Sequence, residues 1–400
     1  MLRETRAPPG VLFLVVGACV VTTARAMTWS FLAIKLQQDY GLSPTKIGVL
    51  LGAGSLIGAV TAPLVGALSD SVGRKAILTF VFVTLSIGMA ALGLAETVVS
   101  FFVAQVVTAV AISIYGPMSR AFLSDICVEP VRLKYFSWRY TASNVGWATG
   151  PLIGVAAGVA STALFLTAAS VYLILALLLR FIHFPSPTFA NEQPSAKAAF
   201  IALAQAVVRD RRLRYFIGGG IFLVAVYGQW TATLAPYLAK NVAGGVEIFA
   251  YIVSLNGVIV LLMNPWSRRF VERVGPLSAL AIGCALFATS QMGFMVSDTL
   301  TGFSISMAMF TMGEILVVPS EYVLVDKASP ARSRGGYFGA QSFTMAGGFI
   351  GPAIGGLVLE SFGGPALFAL FAGFTGVGLM FFVVAVRMSP QTPGRNWPKQ

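Results

Sequence analysis

Apolar runs of membrane-spanning length follow one another along the whole chain. Charge-free stretches occupy 7–24, 47–69, 76–95, 97–119, 215–239, 248–267, 274–297, 335–359 and 361–386. Each is near the roughly 20 residues that a spanning helix needs. The stretch 140–179 is charge-free and long enough for two spans, with a break predicted near Gly158 and Ser161. A further run, 299–313, continues past Glu314 to residue 324. Arg3 and Arg6 precede the first run, but the run is long and resumes over 27–34 after Arg25, so it reads as a retained span rather than a cleaved leader. The pattern predicts twelve helices joined by short loops, an all-α polytopic membrane protein with no large soluble domain.

Composition agrees. The 400 residues are 56% hydrophobic and 10% charged, well under the charged share of a soluble domain, roughly 25%. A soluble enzyme, a disordered chain and a nucleic-acid binder are excluded on that ground. Three cysteines, Cys19, Cys127 and Cys284, make no disulfide or metal pattern, and His183 is the single histidine. No cofactor and no metal site is expected. An enzyme is not expected either, because no nucleophile, metal or acid/base set gathers on one membrane face.

The net charge of +12 is distributed by side. With the N-terminus inside, the cytoplasmic segments hold nearly all the Lys and Arg outside the spans, including Arg74, Lys75, Arg132, Lys134, Arg211, Arg212, Arg268 and Arg269. The opposite side holds Lys35, Lys46 and Lys240. This bias predicts both termini in the cytoplasm, with anionic lipid as the counter-charge.

The sequence also repeats itself at an offset near 202. Tyr135 and Phe136 return as Tyr337 and Phe338; Pro63, Asp70 and Gly73 as Pro265, Glu272 and Gly275; Pro117 as Pro319; Asp125 as Asp326. Gly150, Pro151 and Gly154 return as Gly351, Pro352 and Gly355. Two six-helix bundles, 1–183 and 213–400, follow. The segment 184–212 is expected to be a cytoplasmic linker with an amphipathic helix, whose apolar face is Phe200, Leu203, Ala204 and Val207. Parallel repeats of this kind belong to secondary transporters with a site between the halves.

Two motifs carry a resemblance. The turn after the second span reads GALSDSVGRKAIL, with Asp70, Gly73, Arg74 and Lys75 at the membrane edge. The fifth span reads GWATGPLIG, where Gly146, Gly150 and Gly154 make a flat face and Pro151 bends the helix. With the six-plus-six repeat, these resemble the major facilitator superfamily (MFS) and its twelve-helix drug:proton antiporter branch. The segment SDICVEPVR, with Asp125 and Arg132, is similar to that superfamily's loop between the fourth and fifth spans. The resemblance implies the MFS fold, alternating access and, through Gly150 and Pro151, export. Ser71 departs from the Arg usual in the turn. Gln105 and Ala109 stand where drug antiporters often carry an Arg and a glycine, and Arg25 lies in a first span that often holds a carboxylate.

Charges inside spans are costly and therefore point to function. The bases Arg25, Arg120 and Arg139 all fall in the first half, and the acids Glu314 and Glu321 in the second. Glu314 and Glu321 are the expected proton carriers, Glu321 alternatively a gate residue pairing with Arg120 or Arg139. The expected substrate contacts are Arg25, Arg139, Tyr140, Asn144, Trp147, Tyr227, Gln229, Trp230, Asn256 and Gln341. For Arg25 an ion pair with Glu314, or hydrogen bonding to backbone carbonyls, is the competing reading. Asp70, Gly73, Arg74, Arg120, Asp125, Gly150 and Pro151 are expected to govern gating. The reading is a monomeric, proton-coupled exporter of small amphipathic or anionic organic molecules in the cytoplasmic membrane. An uptake symporter for an organic anion is the alternative.

Overall fold

The computed structural model describes residues 9–127, 129–182, 184, 207–208, 210–329, 337 and 340–388, with side chains except at 9, 59–60, 62–71, 129–130 and 133. Among the described residues every regular element is a helix. The first half contains α1 (Pro9–Trp29), α2 (Leu32–Tyr40), α3 (Pro44–Val72), α4 (Arg74–Gly93), α5 (Val98–Ile126), α6 (Glu129–Ala156) and α7 (Thr162–Phe181). The second contains α8 (Arg211–Tyr227), α9 (Leu234–Asn241), α10 (Gly245–Val274), α11 (Pro276–Val296), α12 (Leu300–Ala328), a short 3-10 turn (Ser342–Ala346) and α13 (Gly347–Arg387).

These amount to twelve crossings. Eight stretches are long and apolar enough to cross a membrane by themselves, among them Gly10–Tyr40, which joins α1 to α2. Another, Ser342–Arg387, folds back at Gly363 (φ 80°) and so crosses twice. The remaining crossings are α3, α6 and the pair α8–α9. Helix α6 is less apolar because it carries Arg139, Tyr140, Asn144 and Trp147.

The 202-residue offset of the sequence recurs in the helix boundaries. Helix α1 starts at residue 9 and α8 at 211; α4 starts at 74 and α11 at 276; α5 spans 98–126 and α12 spans 300–328. Each pair is 202 residues apart. The first crossing of each half is broken, after Trp29 and after Tyr227, and its second piece restarts at equivalent residues, Leu32 and Leu234, again 202 apart. The turns into α4 and α11 are made by Gly73 (φ 97°) and Gly275 (φ 87°), in a region that only glycine enters without strain.

Local chemistry sets the ends. Thr97 and Ser100 form a capping box on α5, and Thr299 caps α12 at the equivalent position. The Asp210 carboxylate accepts the N–H groups of Arg212 and Leu213 at the start of α8. Between α6 and α7 the chain breaks at Gly158 (φ 88°) and Ala160 (φ 58°), where the sequence places it. The Lys35 ammonium donates to the Ala160 carbonyl at 3.2 Å and pairs with Asp39 at 2.6 Å.

Glycine faces join helices within each half. A Cβ on Gly150 would sit 2.6 Å from the Ala26 Cβ, and one on Gly154 would sit 2.5 Å from the Met27 carbonyl oxygen, so α6 lies directly on α1. In the second half Gly351 backs onto the Ala225 backbone at 2.4 Å by the same measure. Both seams follow the small-residue rule for close helix approach in lipid.

Pro9 and Arg387 lie at one end of the bundle, here the terminal end; the other is the distal end. The halves meet from mid-depth to the distal end. Gly48 of α3 faces Pro352 of α13, Gly356 faces Pro44, and Gly257 of α10 faces Ala148 of α6. Phe31 and Phe249 pack edge to face at 6.3 Å. At the distal surface the Thr45 N–H donates to the Glu360 carboxylate at 3.1 Å. The expected amphipathic linker helix lies outside the described residues except for Val207 and Val208.

Candidate functional site

A cavity of about 1160 Å³ opens between the halves. It is lined by α1, α3, α5 and α6 on one side and by α8, α10, α12 and the 3-10 turn on the other. Its walls follow the repeat. Arg25 and Tyr227, Trp29 and Thr231, Ile112 and Glu314, and Pro117 and Pro319 are pairs 202 residues apart, and all eight line it. Proline inside α5 and α12 tilts each helix at this level.

Arg25 dominates the first-half wall. Its guanidinium carbon lies 5.2 Å from the Trp29 ring and 5.6 Å from the Trp147 ring, within cation–π range of both. Trp29 follows Arg25 by one helical turn, so α1 itself supplies the stack. The Arg25 Nε is buried and donates to nothing among the described residues. No carboxylate lies within ion-pair distance of Arg25 among the described side chains. The competing reading of an Arg25–Glu314 pair therefore does not describe this conformation.

The second-half wall carries the acid. The Glu314 carboxylate accepts from Asn256 Nδ2 at 3.0 Å, and the same amide reaches the Thr311 hydroxyl at 3.0 Å. Asn256 comes from α10 and Glu314 from α12, so the bond ties two helices at the cavity surface. Aromatic rings span the seam: Trp147 meets Trp230 at 6.1 Å and 62°, and Trp230 meets Phe249 at 6.0 Å.

Seven expected substrate contacts line this cavity: Arg25, Tyr140, Asn144, Trp147, Tyr227, Trp230 and Asn256. Three are turned elsewhere. The Arg139 guanidinium donates from Nε to the Ser119 hydroxyl at 3.0 Å and lies over Tyr115, packing α6 on α5. Gln229 is buried against Thr233, within the break between α8 and α9. Gln341 is buried next to the lining residue Ser342. Of the two acids, Glu314 faces the cavity and Glu321 does not; Glu321 is 3% exposed, its Oε1 without a hydrogen bond. Regular helical spacing puts the two acids on one side of α12, with Pro319 between them, yet only Glu314 is among the cavity-lining residues. Neither Arg120, exposed on α5, nor Arg139 forms an ion pair with Glu321 among the described residues.

Trp29 and Tyr322 line the site unforeseen. The signal for Trp29 was its spacing of four from Arg25. Tyr322 adjoins Glu321 and faces the cavity where Glu321 does not.

At the terminal end, Arg74 Nε meets the Asp125 carboxylate at 2.9 Å, joining the α3–α4 turn to α5. The Asp70 side chain lies outside the described side chains. Gly150 and Pro151 sit in the α6 face against α1, within the first half rather than between halves.

Comparison with known proteins places this geometry. Residues 14–349 match the profile of the Major Facilitator Superfamily. The chain belongs to that family. An uncharacterized MFS-type transporter of Bacillus subtilis (strain 168), YqjV, is 28% identical over 380 residues, covering 94% of this chain and 93% of the relative. A Na(+), Li(+), K(+)/H(+) antiporter of Planococcus maritimus is 25% identical over 82% of this chain and 84% of its own. Multidrug resistance protein MdtG of Salmonella arizonae is 24% identical, covering 82% of this chain and 81% of its own. Among solved structures the nucleoside transporter NupG superposes with a TM-score of 0.82 over 95% of this chain and all of its own, at 15% identity. That likeness shows the MFS fold.

Proposed function

We propose that this MFS transporter exports small organic anions, amphipathic in character, in exchange for protons across the cytoplasmic membrane. One observation carries the reading: a cavity-facing arginine, stacked between two tryptophans, whose Nε has no partner. A guanidinium so held offers a planar fork to a carboxylate, sulfonate or phosphate group. The rings of Trp29, Trp147 and Trp230 supply an apolar and aromatic surface for the rest of the molecule.

Glu314 takes the proton. It faces the cavity from the other half, and Asn256 holds its carboxylate in place. A proton on Glu314 and an anion on Arg25 thus act on opposite halves, and each biases the rocking of one half against the other. The terminal end, where Arg74, Lys75, Arg268 and Arg269 gather, is the cytoplasmic end. The halves touch at the distal end, so the cavity faces the cytoplasm, ready to load an exported solute. The names of the relatives, antiporter and multidrug resistance protein, support export.

Transport in proteoliposomes with an imposed proton gradient tests this. Aromatic carboxylates are expected to move against the proton flux. Arg25→Gln is expected to weaken their binding at least tenfold, the scale of a charge-assisted hydrogen bond. Glu314→Gln, which keeps the Asn256 contact, is expected to abolish the pH dependence while leaving binding. Accumulation of the anion in the direction of proton flux would replace export by symport. Unaltered anion binding in Arg25→Gln would refute the site.

A further inference from the structure

A second cavity, of about 970 Å³, lies away from the transport site, on the outer flank of the first half. It is a groove between α4 and α7 at the terminal end. Three bases stand at its mouth, Arg74, Lys75 and Arg180, with a single acid, Asp125. Asp125 is held by Arg74 at 2.9 Å. Lys75 and Arg180 are left as the uncompensated charge.

These two are fixed in different ways. The Lys75 ammonium donates to the carbonyls of Arg180 at 3.2 Å and Ile182 at 3.0 Å, which pins it over the end of α7. It lies 5.9 Å from the Phe184 ring, and Phe184 stacks on Phe122 at 4.3 Å to close the back of the mouth. One N–H of the ammonium remains for another acceptor. The Arg180 side chain is exposed, with no ion pair among the described residues.

Below the bases the groove turns apolar. Phe80 (63% exposed), Val83, Leu173 and Leu177 form its walls, all open to the lipid side. From Lys75 to Val83 is about 12 Å of helix. That is most of one leaflet's hydrocarbon depth, about 15 Å. A soluble anion would use only the mouth; a molecule with an anionic head and an alkyl chain uses the whole groove.

We infer that this groove binds one anionic phospholipid of the cytoplasmic leaflet, its phosphate between Lys75 and Arg180 and an acyl chain along Phe80, Val83, Leu173 and Leu177. The internal repeat provides a comparison. Residues 202 further on are Leu277 and Phe382, so the second half lacks both bases. The site belongs to the first half alone, which a general excess of surface charge does not explain. Bridging α4 to α7, the lipid ties together helices that frame the Arg74–Asp125 contact.

Native mass spectrometry of the full-length protein in detergent tests this, with dioleoyl phosphatidylglycerol against dioleoyl phosphatidylcholine. The chains are identical, so a preference reports the head group. Each base near a membrane surface contributes about a fivefold factor, so the two together predict roughly a 25-fold preference for the anionic lipid. Lys75→Gln and Arg180→Gln are each expected to reduce that preference about fivefold. Arg180→Gln changes an exposed side chain and is expected to fold normally. Val83→Trp fills the groove and is expected to expel the lipid with both charges in place, whereas Arg268→Gln, on α10, is expected to change nothing. Equal retention of the two lipids overturns the inference. So does phosphatidylglycerol binding indifferent to Val83→Trp, which would mean scattered surface bases or a groove filled by the linker. Complete displacement by inorganic phosphate would reduce the site to a free-anion site and also overturn it.

Discussion

Replacing Gly48 by alanine separates the two halves where they now touch. An alanine Cβ at this position would lie 1.9 Å from the Pro352 carbonyl oxygen and 2.6 Å from its carbon. The neighbour is backbone inside α13, so no side chain swings away. Ordinary carbon–oxygen contact needs more than 3 Å, so the helices must part by over 1 Å. Overpacking of this kind costs about 1–3 kcal/mol. The cost falls only on the conformation whose distal end is closed, because Gly48 and Pro352 belong to different halves. The ratio of distal-closed to distal-open molecules is therefore expected to fall by a factor of about 5 to 150. Spin labels at Gln38→Cys in α2 and Glu247→Cys in α10, both exposed distal positions, report the gap. The background lacks Cys19, Cys127 and Cys284. Double electron–electron resonance should show a longer distance gaining population in Gly48→Ala, with melting temperature nearly unchanged. An unaltered distance distribution in a folded Gly48→Ala protein would refute the placement of the halves.

Two further expectations follow from the same contacts. Gly150→Ala puts a Cβ 2.6 Å from Ala26 within the first half; this change should lower the melting temperature without shifting the spin-label distances. Glu360 lies exposed in the connection between the last two crossings. Hydrogen bonding from Thr45, then from Ser43, with Lys46 nearby, holds its carboxyl below the usual carboxylate range. The contribution is thus present above ordinary carboxylate values and is lost as pH falls through the lowered one. Acid on the distal side, below the usual carboxylate range, is expected to loosen distal closure, and Glu360→Gln should remove that response in the spin-label assay.

Much of the architecture was legible in the sequence because its causes are local. Runs of apolar residues set the crossings, and glycine marked the breaks at Gly73, Gly158 and Gly275. The repeat placed the second half once the first was read. The site was less legible because a helix has two inward directions, toward the cavity and toward its neighbour. Arg139 and Tyr140 are adjacent in α6, yet Arg139 turns to Ser119 while Tyr140 lines the cavity. Glu314 and Glu321 share a face on a regular helix, yet Glu314 lines the cavity while Glu321 is buried. Arg25 was found as a charge in an apolar span; its two tryptophans come from different helices, and only packing brings Trp147 to it.

The pairing of Arg25 with Tyr227 and of Glu314 with Ile112 has an evolutionary consequence. Two identical six-helix subunits arranged about a twofold axis would place like against like: arginine facing arginine, or glutamate facing glutamate. Such a homodimer cannot have a cationic wall opposite an acidic one. Only after duplication and fusion can the copies diverge at matched positions and give the passage a polarity across its width. By that logic neither half, expressed alone and dimerised, would recover the activity of the joined chain.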